Sequence, residues 1–263
     1  MNHSTLTTWL EFALDAAWQA GRITLGYFQA GVAVERKGDN TPVTQADRQA
    51  EEKLRELIGR FWPEHGMIGE EYGRSAGQSP YTWVMDPIDG TKSFISGVPL
   101  YGTLLALLEN DQPLVGVAHF PALNETVYAA QGMGCFWNGR RAHVSSVHNL
   151  ADAVVLCSDL NTFAPHGKAV AWQQLVAATW VQRTWGDAYG YALVATGRAE
   201  IMVDPIMSIW DCGPLKVIME EAGGTFTDWR GQPITYGEES IATNGILLPQ
   251  LLEILKNNTK PIS

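Results

Sequence analysis

Residues 83–94 read WVMDPIDGTKSF, and this short stretch constrains the chain more than any other. Asp86 and Asp89 stand three apart after a predicted apolar strand, and like charges about 4 Å apart repel by about 4 kcal/mol at an effective dielectric near 20. Pro87 favours an extended backbone at Asp86, so both carboxylates can face one centre, which the carbonyl of Ile88 can join. The pattern therefore predicts a positive charge between the two aspartates.

The residues that follow add an anion site and indicate which cation fits. Gly90 tolerates the strained backbone of a turn, and Thr91 stands where a helix is predicted to begin, so its backbone amides could bind a phosphate. Carboxylates with a carbonyl are the hard oxygen ligands that Mg²⁺ prefers, whereas Zn²⁺ favours His and Cys. A surface turn with a capping aspartate is the alternative. On this stretch alone, both interpretations stay open.

Composition narrows the classes of protein. The net charge of −10 argues against a nucleic-acid partner, because phosphate backbones recruit basic surfaces. Apolar residues make up 46% of the 263 residues, as in a compact globular chain, but no apolar run reaches the roughly 18 residues of a membrane span. The start of the chain reads as an amphipathic helix, not as a signal peptide. The three widely spaced cysteines suit a reducing cytoplasm and offer no zinc spacing.

The first half of the chain predicts an α+β arrangement. Thr8 with Glu11 resembles a capping box, so a first helix is expected from about residue 8 to residue 28. A polar loop is expected over 36–44, and a second helix from Thr44, where Thr-x-x-Asp resembles another cap. From about residue 67 the pattern predicts strands, at 83–85, 101–108, 114–120, 126–130 and 135–137.

The second half alternates strands with helices, which predicts an α/β arrangement. The strands are expected at 154–157, 181–185 and 200–204, and the helices at 168–179, 187–196, 212–222 and 249–255. Without a repeat or a long linker, we expect one continuous unit of layered sheets and helices. Its N-terminal α+β lobe would span about 1–150, and its C-terminal α/β lobe about 151–263.

Two further acidic segments could contribute to a metal site. Glu70 and Glu71 follow a short apolar strand in MIGEEYG, and Asp211 follows Ile209 and Trp210 at the predicted start of a helix. Alone, the glutamate pair is typical of a solvated loop, and Asp211 is typical of a helix N-cap.

Together, four motifs resemble those of the inositol monophosphatase family of Mg²⁺-dependent phosphatases. They are DPIDGTKSF after an apolar strand (83–94), WDCGPLKVIMEEAGG (210–224), GEE (69–71) and TQAD (44–47). All four stand in the family's order and spacing, and the match covers nearly the whole chain. The resemblance implies a layered α-β-α-β-α sandwich of the inositol monophosphatase and sugar phosphatase type.

The resemblance also implies a role for each matching residue. The implied metal ligands, for two or three Mg²⁺ per site, are Glu70, Asp86, the Ile88 carbonyl, Asp89 and Asp211. Gly90 and Thr91 would hold the phosphate by their amides, and Glu70, Ile88, Asp89 and Asp211 also belong to the implied substrate site. Asp47 and the Thr91 hydroxyl would orient and help deprotonate the attacking water, with Glu70 as a further catalytic residue. Glu71 would support the ligands or bind a weaker third ion. Two ions about 3.5–4 Å apart can drive such a hydrolysis without a phosphorylated enzyme.

The substrate is expected to depend on residues 182–205. RTWGDAYGY at 183–191 and the Lys-Ser of DGTKSF look like the histidinol-phosphatase branch of the family. Histidinol phosphate carries an ammonium and an imidazole, so Asp187 and Asp204 could meet its cationic groups while Trp185 packs on its ring. Arg183 could contact substrate in its own subunit or in a neighbouring one.

Several alternatives accompany this interpretation. Trp185 could fill the core, Asp187 could cap a helix, and Arg183 could be a structural ion-pair partner. Inositol 1-phosphate and 3′-phosphoadenosine nucleotides are the alternative substrates, although the nucleotide enzymes usually carry Glu where Ser93 stands. A noncatalytic regulatory member is the alternative outside enzymes, and the intact set of acids argues against it. The resemblance further implies a cytoplasmic homodimer that acts in histidine biosynthesis.

Overall fold

The structure is a computed structural model that describes residues 3–38, 41–234 and 236–256. The helices in these ranges are α1 His3–Tyr27, α2 Gln45–Phe61, α3 Thr91–Ile95, α4 Ala169–Ala178, α5 Ala188–Ala195, α6 Ile209–Glu221 and α7 Leu248–Lys256. The strands are β1 Val34–Arg36, β2 Pro42–Thr44, β3 Gly66–Gly69, β4 Gly73–Ser75, β5 Tyr81–Asp89, β6 Gly102–Glu109, β7 Gln112–Phe120, β8 Glu125–Ala130, β9 Gly134–Trp137, β10 Arg140–Ala142, β11 Val154–Leu156, β12 Val181–Arg183, β13 Ile201–Asp204, β14 Thr225–Thr227 and β15 Ser240–Thr243. Among the helices described, none has the length and apolar character that a membrane crossing requires.

The elements pack in five layers, as the resemblance implied. An eight-stranded sheet has the order β10-β9-β8-β7-β6-β5-β3-β4, and a five-stranded sheet has the order β12-β11-β13-β15-β14. α1 and α2 cover one face of the large sheet, and α5 and α6 lie between its other face and the small sheet. α4 and α7 cover the outer face of the small sheet. The predicted α-β-α-β-α sandwich is therefore confirmed.

The central strands are apolar on both sides because both sides are covered. Successive side chains of a strand point to opposite faces of the sheet. In β6, Leu104 packs toward α5 and α6, whereas its neighbour Leu105 packs toward α1 and α2. The first of these two cores joins Leu104 from the first half of the chain to Cys212 from the second half.

Some local predictions need correction. The prediction that α1 begins at Thr8 is wrong: it begins at His3, and Thr8 Oγ1 donates to the Ser4 carbonyl (3.1 Å) as a hydroxyl inside a helix does. The predicted loop over 36–44 is bounded by strands, because β1 pairs antiparallel with β2; its residues 39 and 40 lie outside the described ranges. The Thr44 cap of α2 is confirmed, since Ala46 N donates to Thr44 Oγ1 (3.1 Å).

Three neighbouring strands of the small sheet place their carboxyl ends at one edge. β12, β11 and β13 run parallel and stand side by side, with β11 in the middle. Loops that leave the carboxyl ends of parallel strands meet at the same edge, which is where such sheets bind ligands. The segments that follow these three strands therefore form one surface.

Candidate active site

Three carboxylates from two distant segments meet at the end of β5. Oxygens of Asp86, Asp89 and Asp211 lie within 4.8 Å of one another. Between Asp86 and Asp89, β5 contains one more residue than the stretch of β6 it pairs with, so the strand bulges there. Side chains three apart on a regular strand would face opposite sides, and the bulge lets both aspartates face one centre.

One backbone amide orients each of these carboxylates. The donor–acceptor pairs are Ile88 N to Asp86 (3.0 Å), Ala188 N to Asp89 (2.6 Å) and Ser208 N to Asp211 (2.8 Å). α6 begins at Ile209, three residues before its predicted start, so Asp211 lies in the first turn rather than at the N-cap. A carboxylate has about four lone-pair sites, so each keeps acceptor capacity for a cation.

The electrostatics of this cluster favour a bound cation. Burial and the neighbouring carboxylates raise the pKa of Asp86 and of Asp89 well above the usual range, and burial raises the pKa of Asp211 to about 7. Buried acids of like charge stay ionised only when a positive charge compensates them. The donors are all carboxylate oxygens, the type that Mg²⁺ prefers, so the residues present fit that ion.

Glu70 and Glu71 lie beside this cluster but share a protein cation. Lys37 Nζ lies 2.7 Å from an oxygen of Glu70 and 2.7 Å from an oxygen of Glu71. After burial, the nearby charge of Glu70 is the largest cause that raises the pKa of Asp86. Burial raises the pKa of Glu71 to about 7. The role of Glu70 as a ligand stays a prediction, and the ion pairs of Lys37, which stands in the polar stretch after Arg36, are not predicted by any motif.

Sequence reasoning also missed the residue that holds the Glu70-Glu71 turn. Glu51 is fully buried and accepts the amides of Glu71 (2.7 Å) and Tyr72 (3.2 Å), while Arg55 pairs with it at 2.7 Å. An available signal was that Glu51 lies on the apolar face of α2 that includes Leu54. A charged residue at such a position needs buried partners.

Asp47 and Thr91, the residues expected to orient a water molecule, each have a defined hydrogen-bond environment. Asp47 is buried, and its Oδ2 accepts from Thr44 N (2.7 Å) and Thr44 Oγ1 (2.6 Å). Its Oδ1 has no hydrogen-bond partner among the residues described. Burial raises the pKa of Asp47. The Thr91 hydroxyl donates to the Ile88 carbonyl (3.1 Å), which links two of the residues implied for phosphate and metal.

A small acidic cavity adjoins the three aspartates. Its volume is about 100 Å³, and Asp89, Asp187, Asp204 and Asp211 all line it. Burial raises the pKa of Asp187 to about 6 and that of Asp204 to about 7. A larger groove of about 890 Å³ lies beyond it, past Ile206, and none of the predicted site residues lines that groove.

The structure decides two of the alternatives raised for the substrate segment. Asp187 stands at the N-cap position of α5, but its side chain makes no capping hydrogen bond, so the capping alternative is wrong. Its carboxylate lies against Gly90: a Cβ built on that glycine would stand 2.8 Å from Asp187 Oδ2. Trp185 is 45% exposed, so it does not fill the core. Arg183 lies at the surface beside it, with its guanidinium carbon 5.8 Å from the ring centre of Trp185.

Comparisons of the whole chain agree with this geometry. A model described as the inositol monophosphatase family matches residues 5–260. The histidinol-phosphatase of Chlorobaculum parvum is 42% identical over 258 residues, which cover 97% of this chain and 99% of the relative. The histidinol-phosphatase of Mycobacterium tuberculosis is 39% identical over 257 residues, which cover 96% of this chain and 98% of that relative.

Solved structures show the same fold. The extragenic suppressor protein suhB of Bartonella henselae superposes with a TM-score of 0.90 at 28% identity, covering 95% of this chain and 98% of that one. The IMPase of Thermotoga maritima superposes with a TM-score of 0.88 at 29% identity, covering 97% and 100%.

Proposed function

The chain belongs to the inositol monophosphatase family, and from that membership we propose that it hydrolyses L-histidinol phosphate to L-histidinol and phosphate, using Mg²⁺. The observation that carries the proposal is the juxtaposition of two acidic groups. One is the cluster of Asp86, Asp89 and Asp211, which suits a divalent cation, and the other is the adjoining cavity with Asp187. A substrate that carries a phosphate at one end and cationic groups at the other matches both.

The proposed metal ligands are Glu70, Asp86, the Ile88 carbonyl, Asp89 and Asp211. When bound, Mg²⁺ supplies the positive charge that activates a water molecule and stabilises the leaving oxygen. Asp47 Oδ1, which lacks a partner among the described residues, would accept a hydrogen bond from that water and orient it. The amides of Gly90 and Thr91 would hold the phosphate, and the Thr91 hydroxyl would help to position the water.

The proposed substrate contacts are Asp187, Asp204, Trp185 and Arg183. Asp187 would bind a cationic group of histidinol phosphate, since its carboxylate lies beside Gly90 and therefore near the phosphate. Asp204 lines the same cavity. Trp185 is exposed enough to stack on an imidazole, and Arg183 lies next to it. The homodimer, the cytoplasmic location and the place in histidine biosynthesis stay predictions.

Phosphate release under Mg²⁺, compared between L-histidinol phosphate and inositol 1-phosphate, tests the proposal. We expect a kcat/KM that is larger for histidinol phosphate, because only this substrate carries groups that Asp187 can bind as ions. Asp211→Asn is the control for phosphate release that does not depend on the cluster. A large preference for inositol 1-phosphate would overturn the substrate assignment and leave the phosphatase assignment intact.

The route of hydrolysis is tested separately in ¹⁸O-water. Direct attack by water places one solvent oxygen in the released phosphate in a single turnover. Isolation of a phosphorylated side chain on the reaction path would contradict direct attack.

A further inference from the structure

Asp187 holds a backbone conformation that costs free energy. Its φ is 52° and its ψ is −156°, a region that residues other than glycine rarely adopt. Such a conformation persists only where surrounding contacts impose it. The contacts of the 186–187 turn therefore decide where the Asp187 carboxylate points.

Those contacts converge on Ser158. Asp187 N donates to Ser158 Oγ (2.9 Å), and Ser158 Oγ in turn donates to Asp204 Oδ2 (2.9 Å). A serine hydroxyl has one proton and two acceptor lone pairs, so with its proton on Asp204 it presents a lone pair to the amide of Asp187. Gly186 makes the approach possible, because a Cβ there would lie 2.2 Å from the Cα of Ser158.

The other partners of Asp204 keep this arrangement fixed. Asp204 is 4% exposed, and its carboxylate also accepts from Ser158 N (2.9 Å) and from the Tyr191 hydroxyl (3.0 Å). Three protein donors thus occupy Asp204. By contrast, the side chain of Asp187 makes no capping hydrogen bond to its own helix, α5.

The topology explains why Ser158 can join the two aspartates. Ser158 follows β11, the middle one of the three parallel strands, while Asp204 ends β13 on one side and Asp187 follows β12 on the other. A residue just past the middle strand is the natural bridge between its neighbours. Ser158 is separated by 46 residues from Asp204 and by 29 from Asp187.

We propose that Ser158 is a positioning residue for substrate specificity: its hydroxyl, oriented by Asp204, holds Asp187 where its carboxylate meets the cationic part of the substrate. The proposal rests on the proposed function, because it concerns the group that distinguishes histidinol phosphate from neutral phosphate esters. In this arrangement Asp204, besides lining the cavity, also acts on the substrate through Ser158.

The kinetic test uses Ser158→Ala, Asp187→Asn and the double variant, each with histidinol phosphate and with inositol 1-phosphate. Ser158→Ala should raise KM for histidinol phosphate about tenfold while kcat for inositol 1-phosphate changes less than about threefold. The double variant should behave like Asp187→Asn alone, since Ser158 acts through Asp187. Losses that multiply in the double variant, or an unchanged KM in Ser158→Ala, would overturn the proposal.

A matched control and a crystal structure separate this proposal from the proposed function. Like Ser158→Ala, Ser240→Ala removes a serine hydroxyl near Asp204, but this hydroxyl bonds to Tyr191 and not to Asp187. The KM of Ser240→Ala for histidinol phosphate should therefore stay within about twofold of the wild-type value. In a crystal structure of Ser158→Ala, φ of Asp187 should leave the positive region; an unmoved carboxylate against Gly90 would overturn the proposal. If the wild-type enzyme did not hydrolyse histidinol phosphate, both the proposed function and the specificity role of Ser158 would be overturned. The crystal structure of Ser158→Ala tests separately whether Ser158 positions Asp187.

Discussion

The backbone N–H of Ala188 donates to the carboxylate of Asp89 across 2.6 Å. This bond joins the first residue of α5 to the last residue of β5, although the two are 99 positions apart. This short contact directly joins the proposed metal side of the site to its proposed substrate side. A shift of α5 would move Asp89 and Asp187 together.

Mg²⁺ should stabilise the folded protein. At a concentration of about 100 times its Kd, an ion that binds only the native state adds about 2.7 kcal/mol to the free energy of unfolding. Asp211→Asn should abolish most of this gain, and in EDTA at pH 8 the variant should be more stable than wild type by at least about 1 kcal/mol, because one of the clustered like charges is removed. Urea titrations with and without Mg²⁺ measure both effects. Equal Mg²⁺ stabilisation of the variant and wild type would contradict the assignment of Asp211.

Asp187→Asn should change selectivity more than catalysis. A hydrogen bond to a charged group contributes about 1.5–3 kcal/mol, so kcat/KM for histidinol phosphate should fall about 10–100-fold. Turnover of inositol 1-phosphate, which has no cationic group, should change little. Calorimetric Mg²⁺ affinity serves as the control and should fall less than kcat/KM for histidinol phosphate does, because Asp187 adds only its charge to the neighbouring Asp89. Equal losses on both substrates would show that Asp187 serves the common step instead.

Glu51→Ala should destabilise the chain by about 3 kcal/mol. The substitution leaves the amides of Glu71 and Tyr72 without their acceptor and removes the partner of Arg55. Urea denaturation in EDTA measures the change without a contribution from metal. Glu56→Ala, five residues further along α2, removes only an exposed ion pair with Lys53 and should cost less than about 0.5 kcal/mol. Similar costs for both variants would argue against the role assigned to Glu51.

His119 should make the fold sensitive to acid. Burial lowers the pKa of His119 to about 4, below its ordinary value near 6.5. The unfolded chain therefore binds the proton first, and the stability that His119 contributes is present above about pH 6.5 and is lost as the pH falls toward 4, by up to about 3 kcal/mol. Stability measured against pH for wild type and His119→Gln isolates this contribution, because the acidic cluster titrates in both. If the free energies of unfolding of wild type and His119→Gln changed in parallel with pH, the contribution assigned to His119 would be contradicted.

The parts of the site that sequence reasoning reached are those carried by local motifs. Asp86 and Asp89 share one strand end, and the capping pair of Thr44 and Asp47 spans a single turn, so their geometry follows from spacing and backbone preference. The layered fold followed from the family that these motifs resemble, and the superpositions confirm it. The metal and substrate roles of the individual residues stay predictions.

The parts that sequence reasoning missed depend on contacts across the fold. Lys37 meets Glu70 from 33 positions away, and Ser158 bridges strands that only the sheet order makes neighbours. The prediction for the start of α1 was wrong for a local reason. Thr-x-x-Glu also occurs inside helices, where the threonine hydroxyl donates to a carbonyl of the preceding turn. Propensity alone does not separate these two uses.

The irregular pairing of β5 with β6 has a consequence beyond its own strand. Had a single residue stood between Asp86 and Asp89, as Thr103 stands between Gly102 and Leu104 on β6, regular alternation would also have kept both acids on one side, but without the extra residue that bulges the strand between them. The inserted residue takes the amide and the carbonyl of Ile88 out of the pairing with β6, beside the two aspartates; the amide donates to Asp86, and the carbonyl accepts from Thr91. Backbone groups that no longer pair within the sheet are free to contact a bound ion or a side chain. A sheet of this kind could therefore acquire a metal site when one strand is lengthened by one residue.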